Sequence, residues 1–304
     1  MEFKKIRKII SRFFAWISLV FCSLIIRHLP WRSLYVFARA FAKVGFLLLV
    51  KQRRIALQSL SIAFGQEKTP QECREIAKNS LTFIAKSGVE SIFLMKKTEL
   101  LRKRVFIEDR RILDLALSKE RGVIMVTGHF GNFPLMMLRL VIDGYSVGGI
   151  MRPMRDQRVE KIFNRLRNKL GIKTIYSVPR KECVDKTIRA LRNNEIVVIE
   201  LDQNFGTGGV FVEFFGQKAA TAVGPIVLAL RSGAVILPCF IIRQRDDTHK
   251  IIFEEGFNLK KEEDFDKTVL VNIQRLTSMI ESYIRRYPAE WSWIHRRWKT
   301  QPKK

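Results

Sequence analysis

Val123-Ile124-Met125-Val126 runs without interruption into Gly128-His129-Phe130-Gly131-Asn132-Phe133, and this junction constrains the chain more than any other stretch. The first run is short, apolar and partly β-branched, as a buried strand is. Leu135, Met136, Leu138, Leu140 and Val141 then continue with helical spacing. A histidine therefore stands at the carboxyl end of a strand, one tight turn before a helix. Ligands bind at that edge in open α/β sheets. Taken alone, His129 reads equally well as a catalytic base and as a satisfied histidine at the rim of a core.

The alternation that begins near residue 105 supports the same architecture. Strand-like runs fall at 122–127, 145–151, 196–201, 210–214, 234–242 and 250–254. Helix-like runs fall at 109–119, 133–142, 155–170, 180–193, 221–232 and 266–286. Such alternation predicts an α/β fold with a mostly parallel central sheet flanked by helices. Residues 51–104 read as helical. Thr69-Pro70-Gln71-Glu72 carries an N-cap, a first-position proline and a capping-box acid, predicting a helix to about Met95. Glu90 lies on that helix among apolar neighbours and reads as a solvated acid.

Charge narrows the partners. The 304 residues carry 55 Lys and Arg against 29 Asp and Glu, a formal charge of +26, which calls for an anionic partner. Lys4, Lys5, Arg7, Lys8 and Arg12 precede the uncharged run Phe13 to Ile26. That run is shorter than the ~20 residues of a straight span. With Trp16 and Trp31 near its ends, it is expected to span briefly or to lie in a membrane interface. The stretch Leu34 to Val50 adds a second amphipathic segment. The chain thus divides into 1–50, a basic N-terminus with a membrane-anchor helix, and 51–304, a catalytic domain. Cys22, Cys73, Cys183 and Cys239 share no short spacing, which argues against a disulfide framework or zinc site. The four histidines are not paired at metal-ligand spacing, so no metal is expected.

Four pieces stand at strand ends: His129 with Gly131 and Asn132, Arg152-Pro153, Glu200 through Asn204, and the loop Gly206-Thr207-Gly208-Gly209 leading to Phe214-Phe215-Gly216. Together they bring a base, a fixed cation and carboxylates to one sheet edge. On helix 155–170, Arg155, Arg158, Lys161, Arg165 and Lys169 form one stripe, with Ile162, Leu166 and Leu170 expected to pack inward. The tract Trp291 to Lys299 interleaves aromatics with cations. It suits nucleic acid or a membrane interface, and the anchor-like N-terminus favours the membrane.

Gly128-His129-Phe130-Gly131-Asn132, Met151-Arg152-Pro153, Asp202-Gln203 and Gly209-Val210-Phe211-Val212-Glu213-Phe214-Phe215-Gly216 resemble the bacterial lipid A biosynthesis (lauroyl/myristoyl) acyltransferase family, within the glycerolipid acyltransferases. Ala220 to Pro225, Pro238 and His295 to Lys299 extend the resemblance over nearly the whole chain. It implies a membrane-associated enzyme at the bacterial inner membrane, its catalytic domain on the cytoplasmic side. Such an enzyme moves a fatty acyl group from an acyl carrier protein or coenzyme A thioester to a lipid hydroxyl, without a bound cofactor. His129 would be the general base. Gly131 and Asn132 would stabilise the oxyanion, and Arg152 would bind a phosphate. The family places Glu or Asp five positions after the histidine, and here Pro134 stands there. Three alternatives follow: Asp202 or Glu200 orients His129, a backbone carbonyl does, or the protein only binds lipid. A nucleic-acid-binding role ranks below these.

Overall fold

A computed structural model describes residues 24–26, 28–154 and 156–302. The run 13–23 and the basic residues before it lie outside the described residues, as does Arg155.

Two helices open the described chain, α1 (Trp31–Leu48) and α2 (Val50–Phe64). The long α3 (Pro70–Leu94) follows, then α4 (Thr98–Arg104). The start of α3 is the expected capping box. The Thr69 hydroxyl accepts from the Glu72 N–H, and the Glu72 carboxylate accepts from the Thr69 N–H. In α1, Leu34, Ala38 and Ala42 recur every four residues and are buried. They share a core cluster or face with Val89, Phe93 and Leu94 of α3, so residues on both sides of position 50 pack together. Trp31 lies against Phe93, with ring centroids 5.4 Å apart, rather than standing free in a headgroup layer.

From β1 (Val105–Ile107) onward the elements alternate: α5 (Arg110–Leu117), β2 (Val123–Thr127), α6 (Phe133–Ile142), β3 (Val147–Met151), α7 (Gln157–Lys169), β4 (Lys173–Tyr176), α8 (Arg180–Arg192) and β5 (Ile196–Glu200). The hairpin β6 (Val210–Phe214) and β7 (Gln217–Thr221) stands apart from the main sheet. It is followed by α9 (Gly224–Ser232), β8 (Val235–Arg243), β9 (His249–Phe253) and α10 (Phe265–Arg286). The seven-stranded sheet runs β1-β9-β8-β2-β5-β3-β4. All neighbours are parallel except β8 and β9, so the fold is α/β with a mostly parallel central sheet flanked by helices. β2 lies at the centre and is buried along its whole length, which explains its unbroken apolar run.

Three expectations change. Thr221 belongs to β7, and the helix after it starts at Gly224, not at 221. No described residue of α7 is fully buried, and Ile162 is 38% exposed, so its apolar face is only half covered. The C-terminal tract does not lie on the surface: Trp291, Trp293, Arg297 and Trp298 are buried in the core. No single helix among the described residues is long and apolar enough to cross a membrane. α1 (from Ser33) and α2 together pass that test only as a pair bent by 89°.

Candidate active site

β2 pairs with β5 in register, so Thr127 lies opposite Glu200 and the loops after both strands leave the same edge. His129 sits two residues past the end of one strand and Asp202 two residues past the end of the other. Asp202 grips His129 at two places. Its Oδ1 lies 2.8 Å from the ring Nδ1, and its Oδ2 accepts the His129 backbone N–H at 2.8 Å. The Trp291 indole N–H donates to the same Oδ2 at 2.6 Å. The approach is close because residue 128 is glycine. A Cβ there would lie 3.2 Å from the Asp202 carboxyl carbon.

These contacts set the charges. Burial raises the Asp202 carboxyl, but the facing imidazole and the three donors prevail and hold it near 2. Burial also works against the His129 imidazolium. The Asp202 carboxylate prevails, with Glu200 adding to it, and lifts His129 to about 9. The ring edge stays open, with the His129 side chain 31% exposed, while Asp202 beneath it is sealed off. Glu200 makes no hydrogen bond to His129 among the described residues. Burial raises its carboxyl, and its influence on the ring is through charge alone. Of the two candidate carboxylates, Asp202 is the one that holds Nδ1.

Past the histidine, the backbone turns sharply. Gly131 has φ +61°, and a Cβ there would fall 1.8 Å from the Ile241 carbonyl oxygen, so only glycine fits. Its N–H was expected to be free for an oxyanion; it donates instead to the Glu290 carbonyl at 2.9 Å. Asn132 is the N-cap of α6, and its side chain points away from the helix start. Its amide donates to the Ser87 carbonyl and to Glu90, and its oxygen accepts from the Ser91 hydroxyl. Pro134 falls in the first turn of α6, where a missing N–H costs nothing. The backbone N–H groups of Asn132 and Phe133 have no partner among the described residues. Phe133 packs edge-on against the His129 ring, with centroids 5.5 Å apart. Arg152 stands exposed past the end of β3, two strands from His129 on the same edge.

The region expected to be chemically idle braces this loop. Glu90 is fully buried, not solvated. Its two oxygens accept from both terminal nitrogens of Arg243 at 2.6 Å, from the Tyr35 hydroxyl, from His249 Nε2 and from Asn132. Burial opposes ionisation, but His249 and Arg243 prevail and keep the Glu90 carboxyl near 2. Next to it, burial lifts the Glu290 carboxyl to about 7, even though it accepts the Arg243 backbone N–H. The only signal for Glu90 in the sequence was an acid amid apolar residues.

The C-terminal tract closes the site from below. His295 Nε2 accepts the Asn204 N–H at 3.0 Å. Arg297 donates to the carbonyls of Gln203 and Ala220 and to the Thr221 hydroxyl. The loop that carries Asp202 and the β6–β7 hairpin are thereby tied to one buried guanidinium. Among the described residues no group of three or more His, Cys, Asp or Glu is placed to hold a metal ion. A free base on a strand end, a buried carboxylate fixing its ring and unbonded N–H groups at a helix start together suit proton removal from a nucleophile that attacks a carbonyl.

Residues 1–300 match the family model described as bacterial lipid A biosynthesis acyltransferase. The chain is 24% identical over 295 residues to the lipid A biosynthesis lauroyltransferase of Escherichia coli (strain K12), covering 94% of this chain and 92% of that protein. It is 25% identical over 291 residues to the lipid A biosynthesis palmitoleoyltransferase of the same strain, covering 90% and 88%. A phosphatidylinositol mannoside acyltransferase of Mycobacterium tuberculosis (strain CDC 1551 / Oshkosh) is 25% identical over 190 residues, 61% of this chain and 57% of that protein.

Proposed function

We propose a function on one premise: the chain belongs to the bacterial lipid A biosynthesis acyltransferase family. On that premise it is an acyltransferase with a lipid acceptor. Our reading is that His129 is the general base for transfer of a fatty acyl chain from an acyl thioester to a hydroxyl of a lipid A precursor or related lipid. The observation that carries this is the 2.8 Å contact between His129 Nδ1 and Asp202 Oδ1. It puts the ring proton on Nδ1 and leaves the Nε2 lone pair for the acceptor hydroxyl.

In this reading, Nε2 takes the hydroxyl proton as the oxygen attacks the thioester carbonyl carbon. The N–H groups of Asn132 and Phe133 hold the oxyanion. The carbon–sulfur bond then breaks, and the leaving thiolate recovers the proton from Nε2. Pro134, in place of the family's acid, leaves the ring oriented because Asp202 performs that task. This is why we prefer catalysis to lipid binding alone. Arg152 would meet a phosphate of acceptor or donor. Exposed Lys161, Arg165 and Lys169 on α7 would face an acidic acyl carrier or the phosphates of coenzyme A.

We also place the protein at a membrane. On α1 and the turn after it, Val36, Phe41, Val44, Leu47, Leu48, Leu49 and Val50 are all exposed, an apolar surface suited to a lipid interface. The cytoplasmic face of the inner membrane is where acyl thioesters and such lipids meet, and it is our proposed location. The test is transfer of labelled acyl groups from acyl carrier protein or coenzyme A thioesters to candidate lipids. His129→Ala is expected to abolish transfer with its unfolding midpoint unchanged. Full turnover by that variant would overturn the mechanism, and lipid binding without turnover by the wild type would overturn the enzymatic reading.

A further inference from the structure

The C-terminal tract is placed against both halves of the dyad, and one of its side chains reaches the carboxylate itself. We propose that Trp291 is a positioning residue for the acyl transfer, acting on His129 through its hydrogen bond to Asp202. The proposal rests on the reading of His129 and Asp202 as the catalytic pair.

Three sets of contacts carry it. The Trp291 indole N–H donates to Asp202 Oδ2 at 2.6 Å, on the oxygen that also receives the His129 backbone N–H. This leaves Oδ1 for the imidazole, so the indole decides which oxygen faces the ring. Trp291 cannot drift. Its carbonyl accepts from the Ser80 hydroxyl at 2.6 Å, its ring packs edge-on against Trp293 at 4.6 Å and against Phe214 at 5.7 Å, and it is 1% exposed. Finally, the backbone beside it grips the histidine loop. Phe130 and Trp291 form an antiparallel bridge, and Gly131 donates to the Glu290 carbonyl. One rigid segment therefore fixes the backbone of the base and the carboxylate of its partner together. Neither contact follows from a sequence tract that reads as a surface patch.

The indole donor withdraws charge from Asp202 and is one of the causes that hold its carboxyl low. Replacing it with a ring of similar shape and no N–H leaves Oδ2 short of one donor. The carboxylate becomes more basic and holds the imidazolium more tightly. Trp291→Phe is thus expected to move the His129 titration, followed by NMR of its ring protons, upward by about one pH unit. The apparent pKa of kcat should move with it. At neutral pH kcat is expected to fall on the order of 10²-fold, with KM little changed. A folded Trp291→Phe protein whose His129 titration is unchanged overturns the proposal. A shifted titration with kcat unchanged overturns the catalytic pair instead and shows which of the two ideas failed. Should the variant not fold, the wild type answers the question. The Trp291 indole N–H resonance is expected to follow pH with the same midpoint as His129, and an indole signal indifferent to that titration overturns the proposal.

Discussion

Asp202 holds both the ring nitrogen and the backbone N–H of His129, each at 2.8 Å. A single ring contact would leave the imidazole free to swing about the carboxylate. Two contacts from one carboxylate fix the ring relative to its own main chain.

Activity should therefore depend on pH in a defined direction. With His129 lifted to about 9 by Asp202, the base rests protonated at neutral pH and becomes competent as pH rises. The profile of kcat/KM is expected to climb through that region. Asp202→Asn removes the cause of the rise, so the climb should move to lower pH while the plateau drops by about 10²–10⁴-fold. A profile in the variant that overlays the wild type would remove Asp202 from the mechanism. The same pair ties stability to pH. A raised imidazole contributes stability in full below its unfolded value, about 6.5, and loses it as pH rises through about 9. A depressed carboxyl contributes above its unfolded value, about 3.9, and loses it as pH falls through about 2. Between those unfolded values the pair stabilises the fold most, and chemical denaturation across pH measures it.

Glu90→Ala should be among the most damaging substitutions away from the reacting edge. It leaves Arg243 buried without its carboxylate and removes a partner from Tyr35, His249 and Asn132. Breaking a buried ion pair from one side costs about 3–5 kcal/mol. Replacing Glu90 and Arg243 together by apolar residues is expected to recover part of that loss. Urea unfolding of the single and double variants measures both.

The two glycines of the histidine loop should behave differently. At Gly131 both the positive φ and the Ile241 carbonyl exclude a side chain, so Gly131→Ala must move the backbone. Lost activity and lowered stability are expected together. At Gly128 the added methyl meets Asp202 and Ile280 at 3.2–3.3 Å. Gly128→Ala is expected to displace the carboxylate slightly and to reduce kcat more than stability. Thermal unfolding beside turnover separates the two cases.

What the sequence made legible follows from locality. The apolar run at 123–126, the capping box at Thr69 and Glu72 and the acids closing 196–201 are all patterns within a few residues, and all lie where they were expected. β1, β4 and β7 were missed because three to five residues with Lys, Gln or Thr among them carry no periodic signal. Glu90 was misread because its partners Arg243 and His249 lie 153 and 159 positions away. The tract from Trp291 was misread for a different reason. Interleaved aromatics and cations describe a membrane surface, a nucleic-acid platform and a core sealed by one buried arginine equally well. Only the Asp202 loop and the β6–β7 hairpin, which supply acceptors to Arg297, decide between them.

The apolar face of α1 gives the last expectation. Phe41 and Leu48 are 63% and 73% exposed, so neither contributes much to the folded core. A buried phenylalanine or leucine side chain is stabilised by about 1.5–3 kcal/mol relative to its exposed state. If these two residues enter a lipid interface, Phe41→Glu with Leu48→Glu should weaken vesicle binding by at least about 10²-fold, since every 1.4 kcal/mol is tenfold. The unfolding midpoint should stay within a degree or two, because no packed contact is lost. Adding salt should then reduce what binding remains, since the basic residues would carry it alone. Wild-type partitioning of the double variant into vesicles containing anionic lipid would remove this face from the membrane contact and leave the residues before position 24 to make it.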